Sequence, residues 1–390
     1  MTYDAIVIGG GPSGATAATD LARAGRHVLL LDRAGRIKPC GGAIPPRLIR
    51  DFEIPDHLLV ARATAARMIA PSHKAVEMPV GDGFVGMVDR GPFDEWLRGR
   101  AALAGAERRT GTFESIERDA DGTAIVVYRD ARGGAEQRVR TRAVIGADGA
   151  NSGVARAALP GQRSKCVFAY HEVVESPPAS AAFDPARCDV VYQGSISPDF
   201  YGWVFPHGPQ TSIGVGSAHK GFALRDATAR LRAQSGLDDC PTVRREGAPI
   251  PLKPLKRWDN GRDVLVAGDA AGVVAPASGE GIYYAMACGR FAAQAVDQFL
   301  ETGNPKALAQ ARRGFMKAHG RVFWVLGMMQ HFWYRSDKRR ERFVKICEDK
   351  DVQKLTWQAY MNKELVRAEP LAHVRIFVKD MGHQIGRAHV

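Results

Sequence analysis

Cysteine is scarce, with six in 390 residues. Cys40, Cys166, Cys188, Cys240, Cys288 and Cys347 never fall in a Cys-x-x-Cys pair or at a Cys/His ligand spacing. No metal site is expected, and a disulfide-built secreted scaffold is excluded in favour of a reducing cytoplasm. Long apolar runs are also missing. The longest, "VFWVLGMMQHFWY" at Val322 to Tyr334, is shorter than the ~18 residues needed to cross a bilayer and contains Gln330 and His331. The N-terminus runs straight into a strand pattern, with no basic region and no leader-length apolar stretch, so no secretory signal is expected. Repeats and low-complexity linkers are absent.

What is present is ordinary globular composition, 45% hydrophobic and 25% charged. It suffices for one large or two intermediate domains. The formal charge is +12, and part of the excess is local. Arg312, Arg313, Lys317, Arg321, Arg335, Lys338, Arg339, Arg340, Arg342 and Lys345 are opposed only by Asp337 and Glu341. Phe315, Phe323, Trp324, Phe332, Trp333, Tyr334 and Phe343 are interleaved with them. Basic residues with aromatics suit nucleic acid or an anionic membrane surface; a helical cap with a solvated basic face fits the composition equally.

"YDAIVIGGGPSGATAATDLARAGRHVLLLDR" reads as a β-α-β unit: strand 3–8, helix 15–24, strand 27–31 closed by Asp32. Gly9 permits the turn, Gly11 lets backbone approach a pyrophosphate, and Gly14 lets helix pack on strand. The helix start offers free N–H groups to phosphate, and Asp32 stands where a ribose hydroxyl is recognised. A carboxylate there disfavours a 2′-phosphate, which leaves FAD and NAD open. A second motif, "GDAAGVVAPASGEGIYYAM", places Gly268, Asp269, Pro276, Gly279 and Gly281 in loops that lead into a helix over 281–300. Further strands are predicted at 111–118, 123–129 and 138–145, with period-2 patterns from Cys166 to Ala218, and a helical pattern runs from Lys306 to about Arg367.

GGGPSG, a strand ending in acid, a mid-chain "IGADGANS" and a late "GDAAG" together resemble flavoproteins of the p-hydroxybenzoate hydroxylase superfamily. The resemblance implies FAD, its ADP half on Gly9 to Gly14 and Asp32, with Pro12, Ser13 and Arg33 counted in that site. It implies the ribityl chain on Asp269 beside Gly268, the ring near Pro276 to Gly281, and support from Asp148 and Gly149. Arg90, in "VDRGPFDEWL", stands where the superfamily has a flavin-proximal basic residue. "KPCGGAIPPR" and "YGWVFPHGPQTSIGVG" narrow the resemblance to the geranylgeranyl reductase family, most of all the branch acting on chlorophyll and bacteriochlorophyll. It covers essentially the whole chain.

The implied fold is α/β: a Rossmann-like FAD-binding domain of the p-hydroxybenzoate hydroxylase type, an inserted antiparallel β-sheet substrate domain and a C-terminal helical region. The expected bounds are 1–160 with 240–305 for the first (β-meander about 110–145), 161–239 for the second and 306–390 for the third. The implied reaction reduces isolated double bonds of a geranylgeranyl tail, on the pigment or on geranylgeranyl diphosphate, to phytyl. NADPH is a transient donor, because no second Gly-x-Gly-x-x-Gly unit exists; a ferredoxin-type donor stays open.

An isolated alkene cannot stabilise negative charge, so its reduction requires a general acid. Cys40 is the titratable side chain in the pinched "PCGG" loop, where Gly41 and Gly42 let backbone approach the ring. It either delivers a proton or packs the loop. Tyr201, Trp203 and Phe205 alternate on one strand face, as core or as the apolar wall of a prenyl tunnel. Burial at about 0.8 kcal/mol per methylene gives a C20 chain roughly 10 kcal/mol of preference for membrane over water. The implied location is therefore cytoplasmic and peripheral to the photosynthetic membrane, with a membrane surface and a chlorophyll synthase as partners and no nucleic acid. Rival readings are an archaeal-type prenyl-lipid reductase, a FAD-dependent aromatic hydroxylase and a non-catalytic pigment or prenyl carrier.

Overall fold

The fold is that of a computed structural model, described for residues 2–33, 37–131, 133–180 and 182–363. Strand β1 (Thr2–Ile8) turns at Gly9 into helix α1 (Pro12–Arg23), and β2 (Val28–Asp32) returns parallel to β1. The helix starts three residues before the predicted one because Pro12, which lacks an N–H, is suited to the first helical position. A Cβ on Gly14 would stand 1.9 Å from the Gly9 carbonyl oxygen, so strand and helix can approach this closely only with glycine there.

There follow β3 (Ala43–Ile44), α2 (Pro46–Asp51), β4 (Leu59–Ala63), β5 (Ala65–Ile69), β6 (Ala75–Pro79), β7 (Val85–Val88) and α3 (Arg90–Leu103). Next come β8 (Glu107–Arg118), β9 (Ala124–Asp130), β10 (Glu136–Gly146) and α4 (Gly153–Ala158). The chain continues through β11 (Cys166–Glu175), β12 (Arg187–Val191), β13 (Gly202–His207), β14 (Gln210–Ser217), α5 (Leu224–Gln234) and β15 (Thr242–Pro251). Last are β16 (Val264–Val266), α6 (Ile282–Thr302), α7 (Ala309–Trp333), α8 (Asp337–Ile346) and α9 (Lys350–Asn362).

The architecture is the expected one. β1, β2, β10 and β16 make a parallel sheet whose apolar strands are buried in the main core with α1, α3 and α6. β8 and β10 are longer than predicted because each pairs with two partners along its length within one six-stranded sheet, β1-β2-β8-β9-β10-β16, in which β1 also pairs β10. Glu107 to Thr110 lies parallel to β2, and Gly111 to Arg118 pairs antiparallel with β9. β10 likewise pairs β9 first and β1 afterwards. Helix α6 crosses α1 so closely that a Cβ on Gly289 would stand 2.3 Å from the Ser13 carbonyl.

The second sheet has order β15-β11-β14-β13-β12-β5-β6. It is antiparallel except where β12 runs parallel to β5. It draws β5, β6 and β15 from outside 161–239, so its chain segments are more dispersed than the sequence suggested. A third, small sheet has the order β3-β7-β4.

Candidate functional site

The smallest sheet sets the central contact. β3 pairs antiparallel with β7, Ala43 opposite Met87, and Val88 N–H donates to the Gly42 carbonyl at 2.9 Å. Cys40 precedes this pairing and Arg90 follows it, so the two meet although 50 residues apart in sequence. Arg90 is buried, bonds Asp94 through Nε and Nη2 at 2.9 and 2.8 Å, and stands near enough to Cys40 to be influenced by it. Burial works against its charge, but Asp94 and Cys40 outweigh that and hold the guanidinium protonated. The Gly42 N–H also points at Cys40 Sγ, 3.4 Å away. One N–H and a nearby guanidinium thus border one sulfur.

The two diagnostic stretches are in contact. Gly41 packs on Phe205, where a Cβ would come within 3.0 Å of the ring. Gly42 has φ +69°, and a Cβ there would stand 2.4 Å from His207 Cε1. His207 Nε2 donates to the Gly41 carbonyl at 3.0 Å, and Nδ1 lies 3.3 Å from Asp89 Oδ1. The Gly41 carbonyl can only accept, so Nε2 carries the hydrogen of that bond, while Nδ1 is buried beside the Asp89 carboxylate. Behind it, His171 bridges Ser212 Oγ at 2.9 Å and Glu246 Oε2 at 3.0 Å, and Trp203 Nε1–H donates to the same Ser212 oxygen at 3.1 Å. Burial opposes the Glu246 charge, but the His171 hydrogen bond and Arg244 hold its carboxyl below the usual range.

Tyr201, Trp203 and Phe205 form one continuous run, with ring centroids 6.2 and 6.5 Å apart. Tyr201 and Trp203 are buried, and Phe205 borders two apolar clusters. Tyr201 O–H donates to the Ser278 carbonyl at 2.5 Å, which ties the run to the 276–281 loop. Gly279, at φ +65°, faces Phe200 and the Tyr201 hydroxyl. Helix α9 covers this region: Trp357, Tyr360 and Met361 pack with Phe205, Met87 and Cys188. Just past it Lys363 is buried, 3.0 Å from Glu280 Oε2 and 3.9 Å from the Tyr360 ring centre. Desolvation lowers the Lys363 pKa and Glu280 opposes that shift.

At the dinucleotide end, Gly9 and Gly14 meet backbone closely, whereas nothing lies within 4 Å of a Cβ on Gly11 or Gly149. Ser13 Oγ is buried without a partner among the described residues. Open glycine faces at the turn into α1 beside an unsatisfied hydroxyl fit a phosphate-bearing cofactor. Asp32 ends β2 and takes a 3.0 Å bond from Arg98 Nη1, while Arg33 is exposed. Asp269, largely buried, pairs with Lys38. Gly268, at φ +65°, packs on Ser13, and Gly281 caps α6. Pro276 lies against α7 near Gly327. The Asp148 carboxylate accepts from Ser152 Oγ and the Gly153 and Val154 N–H groups, which caps α4.

Sequence reasoning missed Lys38, Asp89, Asp94, Arg98, His171, His207, Ser212, Glu246, Glu280 and Lys363. Lys38, Asp89, Asp94, His207, Ser212 and Glu280 stand inside the motifs quoted above, whereas Arg98, His171, Glu246 and Lys363 do not. In the basic segment, Arg340 is buried and donates to the Pro198 and Tyr334 carbonyls, and Arg312 donates to Leu255 O at 2.9 Å, so these two are structural. Among the described residues no helix is long and apolar enough to cross a membrane, and none of the acidic, histidine and cysteine side chains cluster as a metal site.

A family model described as lycopene cyclase protein matches residues 4–385. The chain is 60% identical over 386 residues, 99% of its length and 98% of the relative's, to a geranylgeranyl diphosphate reductase of Rhodobacter capsulatus. It is 36% identical to the chloroplastic geranylgeranyl diphosphate reductase of Oryza sativa, covering 96% of this chain and 85% of that one. A solved geranylgeranyl bacteriochlorophyll reductase-like protein from Thermoplasma acidophilum superposes with TM-score 0.81 at 23% identity, over 94% of this chain and 98% of that one, a likeness of fold. By profile the chain falls in the sequence family of that model, and by its near full-length identity it belongs to the geranylgeranyl reductase family.

Proposed function

We propose that the chain is a FAD-dependent oxidoreductase acting on CH–CH bonds, a geranylgeranyl reductase that uses NADPH. Its substrate is a geranylgeranyl tail, on (bacterio)chlorophyll or on the diphosphate, and its product is phytyl. One observation carries the reading: the "PCGG" loop and the "YGWVFPH" strand, remote in sequence, meet at Gly41–Phe205 and Gly42–His207, in a chain 60% identical to a relative bearing that name.

FAD, when bound and reduced by NADPH, supplies the hydride. Gly11, Ser13 and Asp32 would hold its ADP half, Asp269 its ribityl chain, and the Pro276 to Gly281 loop its ring, with Gly149 leaving backbone open nearby. Cys40 gives its thiol proton to the alkene carbon: the S–H bond breaks as the C–H bond forms. Arg90 and the Gly42 N–H then hold the thiolate left behind. Burial raises the Tyr201 phenol well above its ordinary value, so it stays a neutral hydrogen-bond donor in the wall. Tyr201, Trp203 and Phe205 line the prenyl path, and α9 excludes water from it. The chain works at the cytoplasmic face of a photosynthetic membrane, where a chlorophyll synthase would hand over or accept the pigment.

The test is anaerobic reduction of the bound flavin by NADPH, then addition of geranylgeranyl pigment or geranylgeranyl diphosphate. Reoxidation with mass-spectrometric appearance of phytyl product is expected. Reoxidation only by oxygen with a phenolic substrate would replace the reading with that of a hydroxylase.

A further inference from the structure

The solvent-facing stripe of α7 has an order that composition did not reveal. Along its length Arg313, Lys317 and Arg321 are exposed first, then Trp324, Met328 and Phe332, then Arg335 just past the helix end. These steps of three or four residues put them on one face. Trp324, Met328 and Phe332 are 63%, 49% and 43% exposed, while Phe315 and Phe323 on the other face are buried. No acidic residue stands between Glu301 and Asp337.

We infer that this stripe is a membrane-docking surface: Trp324, Met328 and Phe332 enter the headgroup–acyl boundary of an anionic leaflet, and the cations on either side contact lipid phosphates. Apolar anchors bracketed by one sign of charge match such a boundary. A second copy of the chain would set basic against basic, so self-association on this face is opposed.

The inner face of α7 holds the 276–281 loop. Ala277 N–H donates to Gln330 Oε1 at 3.3 Å, and Tyr334 O–H donates to Ala277 O at 3.0 Å. Docking therefore sets that loop about one helix diameter, ~10 Å, from the lipid. The inference rests on the prenyl-reductase reading only for why a bilayer is approached there.

The full chain is floated with vesicles of phosphatidylcholine alone and of phosphatidylcholine with phosphatidylglycerol. The wild type is expected to float with the anionic vesicles. Trp324→Ser/Met328→Ser/Phe332→Ser should lower the bound fraction roughly tenfold or more, with unchanged melting and unchanged turnover of detergent-dispersed substrate. Should the triple variant fold poorly, the Trp324→Phe chain decides: wild-type fluorescence is quenched by brominated lipid, and the variant should lose most of that quenching. Equal flotation of wild type and variant, equal binding to neutral vesicles, unaltered quenching, or a lipid-independent dimer that the triple variant abolishes would each overturn the inference. Turnover lost with flotation intact would count against the reductase reading alone.

Discussion

The Nε2 of His207 donates to the carbonyl of Gly41, 166 positions earlier in the chain, and so fixes the loop that carries Cys40. Small displacements of a reacting group are costly, up to about 10²-fold in rate. His207→Ala should therefore lower kcat by up to about 10²-fold and leave FAD affinity near wild type, and His207→Gln, which keeps a donor, should recover part of it. Steady-state kinetics beside flavin titration check this; equal rates in all three proteins would remove His207 from the positioning of the loop.

Cys40→Ser should bind FAD and bleach with NADPH as the wild type does, but transfer to the prenyl substrate should slow by about 10²- to 10⁴-fold, the usual range for loss of a general acid. Rapid-reaction reoxidation under anaerobic conditions measures it. Full-speed transfer would leave Cys40 a packing residue.

Asp89 is held below its ordinary value of 3.8 by the His207 hydrogen bond, against the opposing effect of burial. A depressed folded value means that the unfolded chain takes the proton first as pH falls. The stabilisation is present above pH 3.8 and is lost as pH falls through the lower folded value. Asp89→Asn should be less stable than wild type at neutral pH, and the gap should close in acid. Urea unfolding at both pH values reads the two.

Lys363→Met should strand Glu280 and cost about 3 kcal/mol, and adding Glu280→Gln should restore most of that. Chemical denaturation gives both numbers. Additive losses would show that the pair is not coupled.

Gly14→Ala places a Cβ 1.9 Å from the Gly9 carbonyl and should cost about 3 kcal/mol with loss of FAD retention. Thermal unfolding and flavin release check it.

The β-α-β unit was legible because glycine spacing and a short apolar strand are local signals. Strand partners are not. Nothing in β5 or β6 says that they join a sheet built mostly a hundred residues later. The Cys40–Arg90 contact was hidden because β3 has two residues, too few to show a period. Lys363 was invisible because lysine is normally exposed, and only the fold reveals the carboxylate and rings around it. The aromatics and cations of α7 were visible as composition; which of them face solvent depends on the loop packed beneath the helix. The "GADG" stretch could feed either a ligand or the next helix, and in the fold the Asp148 carboxylate bonds Ser152 and the Gly153 and Val154 N–H groups at the start of α4.

Both large sheets are completed late. The first needs β16 at Val264–Val266, and the second needs β15 at Thr242–Pro251 although it also contains β5 and β6. During synthesis neither can close until about two thirds of the polypeptide has left the ribosome, and until then β5, β6 and the strands of the first half expose unpaired edges. The nascent chain is thus at its most aggregation-prone before residue 266, and co-expressed holdase chaperones should raise its soluble yield more than added flavin does.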